Sequence, residues 1–581
     1  MNNINESEPV PFDNSFLESE NQIGFIGTGS FGGKAKGLAR INSILRNEIN
    51  PDDFPGFIIN IPKMVVIRTD IFDAFMEQNE LHHFANSGVS DERIALKFQK
   101  ADLPFEILGD LRTLISKINN PLAIRSSSML EDAIYEPFAG VYGTKMTPNN
   151  QLDTDTRFRK LVEGIKFVYA STFFKVSREY IQATTHKNES EKMAIIIQEV
   201  VGNRHGERFY PEISGVARSF NFYPVGHAKP EDAVVNLALG LGKTIVDGGI
   251  SWAYSPSYPS ISPPFGSPRA MLNETQTRFW AVNMGKPPEY NPIMETEFLI
   301  QESLKEAESD GILKHISSTY DLNADRIWPG ASSDGPKILT FSPILVLDTI
   351  PLNNLVKRLL QVCEESMKTP VEIEFAATLT GDGDKPYRFG FLQVRPMVVS
   401  MEEIEISDDE MIDANIMAAS DTVLGNGINN SIKNIIYLNP ETFETRSTQQ
   451  IADEIGAMNK KLLENEDPYL LIGYGRWGTS DPSAGVPVKW SQVSGAKVII
   501  EATLENIHVE MSQGSHFFHN VTGFKVCYFS LPFAGIYKVD WDWLEEQKLI
   551  EETRFVKHIR LEKPLNIKVD GRRSRGVIIK S

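Results

Sequence analysis

A chain of 581 residues exceeds the size at which one hydrophobic core stops growing, so three or four folding units are expected. Hydrophobic residues make up 41% and charged residues 23%, a globular composition that excludes a low-complexity or disordered chain. A net charge of −19 argues against nucleic acid and anionic membrane as default partners, although a local basic funnel for a nucleotide stays open.

Residues 1–20 read as a disordered leader, polar and acidic at the start and without the apolar stretch of a signal peptide. A short strand at 21–26 runs into the turn Gly27-Thr28-Gly29-Ser30-Phe31-Gly32-Gly33, and a helix at 34–49 places Leu38, Ile41, Leu45 and Ile49 on one face. A strand is expected at 63–67, helical segments at 70–118, a short apolar strand at 121–125, and one long helix at 156–182. The run at 194–201 (AIIIQEVV) is apolar almost throughout and predicts a buried strand, with further strands at 215–222 and 233–239. Residues 254–290, rich in Pro, Ser and Gly, predict a long surface excursion. Strands at 371–379 and 389–394 form a hairpin around Gly381-Asp382-Gly383-Asp384. The acidic run 401–413 marks a linker spanning 401–420, and 421–581 reads as a separate α/β domain. Only Cys363 and Cys527 occur, too few for a disulfide framework or a cysteine-based zinc site, which suits a reducing, cytoplasmic setting. No stretch approaches the ~18 uninterrupted apolar residues of a membrane span.

Gly27-x-Gly29-x-x-Gly32 between a strand and a helix matches the dinucleotide fingerprint, with Glu48 or Asp52 available as the ribose acid. It fails as a Walker A loop because Lys34 is followed by Ala; Gly240-Leu241-Gly242-Lys243-Thr244 fails because position 237 is Leu. A tight turn capping a helix is the bland alternative. Under the nucleotide readings, the glycines bring backbone N–H groups close to a phosphate at a helix N-terminus, and Lys34 adds a full charge.

Three further segments strengthen the nucleotide case. Arg125 ends a buried strand and leads into Ser126-Ser127-Ser128, followed by Phe138-Ala139-Gly140-Val141-Tyr142-Gly143-Thr144. A buried guanidinium is expensive unless paired, and a polyphosphate suits its fork. Gln198-Glu199 closes the AIII strand. In the hairpin, strand alternation puts Gln393 and Arg395 on one face, with Ile373 and Phe375 facing opposite to Glu374. One carboxylate and one amide oxygen, Glu374 and Gln393, suit Mg²⁺, which takes few protein ligands. An ordinary Glu–Arg cross-strand pair is the competing account.

Four motifs in order carry a resemblance: the GGKAKGL loop; IRSSS with FAGVYGT; the Gln198 strand with SGVA and LGLGKTIVDGG; and IEF with LQVRP. Together, over about 24–397, they resemble the ATP-binding domain of the phosphoenolpyruvate synthase and pyruvate phosphate dikinase family, which rifampin phosphotransferase shares. The resemblance implies an α+β ATP-grasp fold over 21–400, in which two subdomains close on ATP. It implies that Lys34 and Arg125 contact phosphates, that Gly140 and Thr144 line the phosphate loop, and that Gln198 lies on the strand entering the adenine pocket. It also implies that Glu374 and Gln393 hold Mg²⁺ and that Arg395 stabilises the transferring phosphate. An ATP- and Mg²⁺-dependent, AMP-forming phosphotransferase follows as the expectation; the alternative is a nucleotide-gated binding or regulatory module.

The resemblance stops at the acceptor. The family's Thr-x-Gly-Gly-x-x-Ser-His-Ala-like phosphohistidine motif is missing, and the C-terminal residues are too few for a (β/α)₈ barrel. The phosphoacceptor is thus a C-terminal histidine, a small molecule or another protein. His516 and His519, three apart in a Ser-, Gly- and Gln-rich run, can share a helix face as acceptors, as weak metal ligands or as structural groups. The run Gly473-Tyr474-Gly475-Arg476-Trp477-Gly478-Thr479 can hold an anion through backbone N–H groups and Arg476, or simply stack Arg476 on Trp477 or Trp490.

Overall fold

A computed structural model of the chain describes residues 8–580, apart from 132–137, 139, 183, 185–190, 264, 266, 332–334, 380–385, 398, 400–403, 441, 480, 482–483 and 504–514. The turn at 381–384 and residues 512–514, both singled out in the sequence, lie outside the described residues.

The first sheet has six strands in the order Val10–Pro11, Ile23–Ile26, Met64–Ile67, Met193–Glu199, Leu122–Ser128, Thr144–Thr147. Met193–Glu199 lies in its middle, antiparallel to both neighbours and buried at every position before Glu199, which accounts for its unbroken apolar run. The helix Gly32–Glu48 buries Ala35, Leu38, Ile41 and Leu45, the face expected from the 3.6-residue period. The expected long helix divides into Thr154–Ser171 and Lys175–Gln182. The leader is corrected: Val10–Pro11 adds a parallel strand to Ile23–Ile26, and Phe16 is buried below it. Lys63 Nζ holds this segment by donating to the carbonyls of Phe16, Leu17 and Ser19.

The second sheet runs Trp252–Tyr254, Val234–Ala238, Ile213–Arg218, Val371–Thr378, Tyr387–Pro396, Phe57–Asn60. The helix Gly32–Glu48 packs between the two sheets, against Leu122–Ser128 of the first and Tyr387–Pro396 of the second. The excursion expected at 254–290 is corrected in part. Its end, Arg278–Asn283, is a strand of a third sheet with Leu299–Ser303, Arg208–Tyr210 and Asn203–His205, and Phe279 is fully buried there.

The C-terminal part is built on seven strands. Four are parallel neighbours, Asn434–Leu438, Tyr469–Tyr474, Ala496–Ala502 and Cys527–Leu531, and they are flanked by antiparallel edges. Their side chains alternate. Leu470, Ile472, Val498 and Ile500 face a four-stranded antiparallel sheet. Tyr469, Leu471 and Ile499 join the same apolar core as Phe138, Tyr142 and Tyr180 of the first unit. The expected separation into independent units therefore does not hold, because the two parts share one core. The acidic linker is corrected as well: Ile406 and Met411 are buried against Ala419 and Val577, and Ile416–Ser420 pairs with Arg575–Ile579. Charge on the exposed side of this segment had masked its apolar anchors.

Candidate functional site

Register fixes where Arg125 points. Its strand, Leu122–Ser128, lies between Thr144–Thr147 and Met193–Glu199, with Arg125 opposite Thr144 and Ala123 opposite Gln198. Arg125 Nη1 donates to Gln198 Oε1 at 3.1 Å and to Leu392 O at 2.8 Å, and Nη2 to Gln393 Oε1 at 2.9 Å. All three partners are neutral oxygens, so these bonds orient the guanidinium while its charge stays uncancelled by them. Gln198 is buried and also donates to Pro62 O at 3.3 Å. Its side chain thus serves Arg125 on the strand where an adenine pocket was expected.

The glycine loop is not the open phosphate cradle that its letters suggest. Asp70 accepts from Thr28 N at 2.9 Å and Gly29 N at 2.8 Å, while Thr69 Oγ1 accepts from Ser30 N at 2.8 Å. Burial works against the Asp70 carboxylate, but these hydrogen bonds hold its pKa below the ordinary value. These three loop donors are thereby taken. Gly32 and Gly33 serve packing instead: a Cβ on either would stand 1.8 Å from a carbonyl oxygen, of Ser127 and Glu131 respectively. Only glycine lets the start of the helix lie this close to the arginine strand. That contact delivers Lys34, whose Nζ meets Glu131 Oε1 at 2.6 Å and Ser126 Oγ at 3.2 Å.

On the second sheet, Glu372 lies opposite Arg395 and Glu374 opposite Gln393, with a bulge after Glu374. Arg218 pairs with Glu372 from the adjoining strand. Arg395 Nε stands 3.1 Å from Glu372 Oε1, and Arg395 Nη2 pairs with Glu374. The cross-strand ion pair is therefore present, embedded in an alternating ladder Arg218–Glu372–Arg395–Glu374. Burial raises the cost of ionising Glu374, but Arg395 and then Arg125 outweigh it and keep its pKa below the ordinary carboxylate value. One Glu374 oxygen is taken by Arg395, and the residue also lines the cavity beside Gln393. With Gln393 Oε1 already accepting from Arg125 Nη2, the other Glu374 oxygen and the second lone pair of the amide oxygen would fit a hard cation that keeps most of its ligands as water or phosphate. Among the described residues no group of three or more His, Cys, Asp or Glu forms a fuller metal cage.

These segments line one cavity of about 240 Å³. Lys34, Arg125, Gly140, Thr144, Gln198, Glu374, Gln393 and Arg395 all border it. Ala123, Met146, Val200, Leu241 and Leu299 form an apolar end, and all five belong to one small hydrophobic cluster. An apolar end joined to a cationic end suits a purine base joined to a polyphosphate.

The C-terminal part supplies a wall of this cavity. His516 opens the helix His516–Gly523, capped by Ser515 accepting from Phe518 N at 3.2 Å, and borders the cavity. Gly140, at φ +67°, faces it so closely that a Cβ would stand 2.5 Å from His516 Nδ1. Burial, with Arg395 nearby, lowers the His516 pKa to about 4, so the ring is neutral at physiological pH. His519 is buried one turn further on and does not border the cavity. Burial also depresses its pKa, followed by Arg395 and Arg218. Of the two histidines, the fold brings only His516 to the site.

Sequence reasoning missed Lys243, Asp247 and Glu295, which also line the cavity. Lys243 stands in the LGLGKTIVDGG motif but has no Walker role, and it follows a Gly-x-Gly turn, the same signal that draws attention to Lys34. Arg476, read from the sequence as an anion holder or as a stacking partner of Trp477 or Trp490, reaches toward the turn at 248–249. Its Nη1 donates to Gly248 O at 3.2 Å and Gly249 O at 3.4 Å.

Fold and cavity together define an α+β nucleotide-binding clamp of the ATP-grasp kind. The family model of the pyruvate phosphate dikinase AMP/ATP-binding domain matches residues 28–415, more than half the chain, and the protein belongs to that family. No curated protein matches the chain significantly. No helix among the described residues is long and apolar enough to cross a membrane.

Proposed function

We propose that the protein is an ATP- and Mg²⁺-dependent phosphotransferase, dikinase-like and AMP-forming, whose acceptor is His516. The observation that carries this reading is the meeting in one cavity of Lys34, Arg125, Glu374, Gln393 and Arg395 with a histidine from the C-terminal part. Phosphoryl transfer is mainly positioning and charge neutralisation, and these residues supply both. The apolar end takes the base. Lys34 and Arg125 take the polyphosphate, and Arg395 faces the transferring group. Glu374 and Gln393 Oε1 would hold Mg²⁺, which when bound neutralises phosphate charge. The neutral His516 ring offers a nitrogen lone pair to Pβ: the N–Pβ bond forms, the Pα–O–Pβ bond breaks, AMP leaves with that electron pair, and the β- and γ-phosphoryl groups stay on the ring as a pyrophosphoryl group.

The test is incubation with γ- and β-labelled ATP, resolving AMP, ADP and protein. The expected result is AMP and an acid-labile, base-stable label on the protein that His516→Ala abolishes and His519→Ala retains. Equal labelling of His516→Ala moves the acceptor elsewhere. Glu374→Gln and Gln393→Ala should both abolish Mg²⁺-dependent turnover; unchanged turnover in both removes the metal site. One observation favours the binding module as a second reading: Lys34 and Arg395 are already paired with Glu131 and Glu374. ATP binding without any product supports that module.

A further inference from the structure

We propose that Lys243 is a phosphate-binding residue of the nucleotide site, and that Arg476 and Thr479 are positioning residues that set it from the C-terminal part. The inference rests on the reading that the cavity binds ATP.

Lys243 opens the one-turn helix Lys243–Val246 and borders the same cavity as Lys34, Arg125 and Arg395. Its Nζ is 2.6 Å from Asp247 Oδ2. Burial alone would lower its pKa, but Asp247 and then Glu295 raise it, so the ammonium stays charged. An ammonium has three donors, and one ion pair does not exhaust them.

A single turn is a poor anchor for a charge, since it contains almost none of the cooperative hydrogen bonding of a longer helix. The turn ends at Gly248, at φ +72°, with Gly248 N donating to Ile245 O at 3.0 Å and Gly249 N to Thr244 O at 2.8 Å. That closure turns the Gly248 carbonyl toward the C-terminal part. There it accepts from Arg476 Nη1 at 3.2 Å and from Thr479 Oγ1 at 3.2 Å. Both donors belong to the glycine-rich run Gly473–Thr479 that the sequence offered as an anion holder or a stacking site.

Arg476 and Thr479 flank residues packed into the C-terminal part. Arg476–Trp477 pairs in parallel with Gly485–Val486, and Trp477 Nε1 donates to Ile500 O at 3.3 Å. Gly478, between Trp477 and Thr479, packs on Phe517 of the helix that begins with His516. Lys243 is therefore fixed by donors more than 200 residues away in sequence, anchored to the sheet that also carries His516.

The test is steady-state ATP turnover by the full-length chain. Lys243→Ala should lower kcat/KM on the order of 10²-fold, as expected for a lost charge on phosphate. Arg476→Ala should lower kcat by roughly tenfold, because a misplaced group weakens transition-state contacts more than ground-state ones. Arg476→Lys, which restores a donor, should recover part of that loss. The deciding measurement is the double variant: if Arg476 acts through Lys243, adding Arg476→Ala to Lys243→Ala costs nothing more. Additive losses, or wild-type kcat in Arg476→Ala, overturn the positioning role. If Arg476→Ala does not fold, Thr479→Val replaces it in the same cycle under the same criteria. A wild-type chain that neither binds nor consumes ATP overturns instead the nucleotide reading beneath it.

Discussion

Lys34 reaches the cavity paired with Glu131 at 2.6 Å, whereas Arg125 donates to the neutral oxygens of Gln198, Gln393 and Leu392. The difference separates two effects of mutation. Both Lys34→Ala and Arg125→Ala should slow ATP turnover on the order of 10²-fold. Lys34→Ala also leaves the Glu131 carboxylate, 1% exposed, without its cation. Breaking a buried pair typically costs about 3–5 kcal/mol, whereas Arg125→Ala strands only neutral acceptors, so Lys34→Ala should melt clearly below Arg125→Ala. Thermal unfolding of the two variants checks this, and equal melting temperatures would contradict it. The sequence marked Lys34 and Arg125 because each follows a run with recognisable chemistry. Glu131 carried no such mark, because its role depends on Lys34, 97 residues away in sequence. The glycines before Lys34 were visible but misread: their letters fit a phosphate loop, and only the carbonyls of Ser127 and Glu131 reveal a packing constraint.

At the scale of elements, the strand Ala496–Ala502 ends on a buried acid. Glu501 is fully buried, accepts from the Tyr528 hydroxyl, and has Arg476 nearby; burial nonetheless pushes its pKa up to about 7. The folded state therefore holds a proton on Glu501 that the unfolded chain releases near the ordinary carboxylate range. Between those two pKa values the folded state binds more protons, so this group's contribution falls as pH rises from about 4.5 toward 7. Glu501→Gln keeps an acceptor for Tyr528 and removes the titration. Its stability relative to wild type should grow from pH 5 to pH 8 and then level off. Melting curves of both proteins across that range provide the measurement, and a pH-independent difference would falsify the assignment. Strands such as Met193–Glu199 were legible because both faces are buried and the apolar run is continuous. Residues 254–290 were not, because Pro- and Gly-rich turns hid the buried inner strand at Phe279.

The whole molecule is held together by a core that crosses the expected domain boundary. Tyr180 stacks edge-on to Phe524 at 5.6 Å, and its hydroxyl donates to Asn520 Oδ1 at 3.0 Å. Arg218 lies over the Phe518 ring at 4.8 Å. Phe518 is 2% exposed, so Phe518→Ala should cost about 3–5 kcal/mol. Because the ring belongs to the shared core, the loss should appear in both parts as one cooperative transition. Hydrogen exchange at Leu122–Ser128 and at Tyr469–Tyr474 should accelerate together in this variant; acceleration confined to the second strand would refute the coupling. Composition gave no sign of this continuity, since the apolar residues on each side look like ordinary core until both are seen to face one another.

That shared face also bears on descent. A protein whose parts each have a finished surface can lose, exchange or acquire a part by recombination without disturbing the rest. Here a chain inheriting only residues up to the acidic boundary would expose Phe138, Tyr142 and Tyr180, while one inheriting only the remainder would expose Phe517, Phe518 and Trp490. Each fragment would be prone to aggregation, and the nucleotide cavity would lack the wall that His516 provides. Cutting the chain between the clamp and its C-terminal partner would thus uncover apolar surface on both, and a substitution in one half bears on the other wherever their side chains meet.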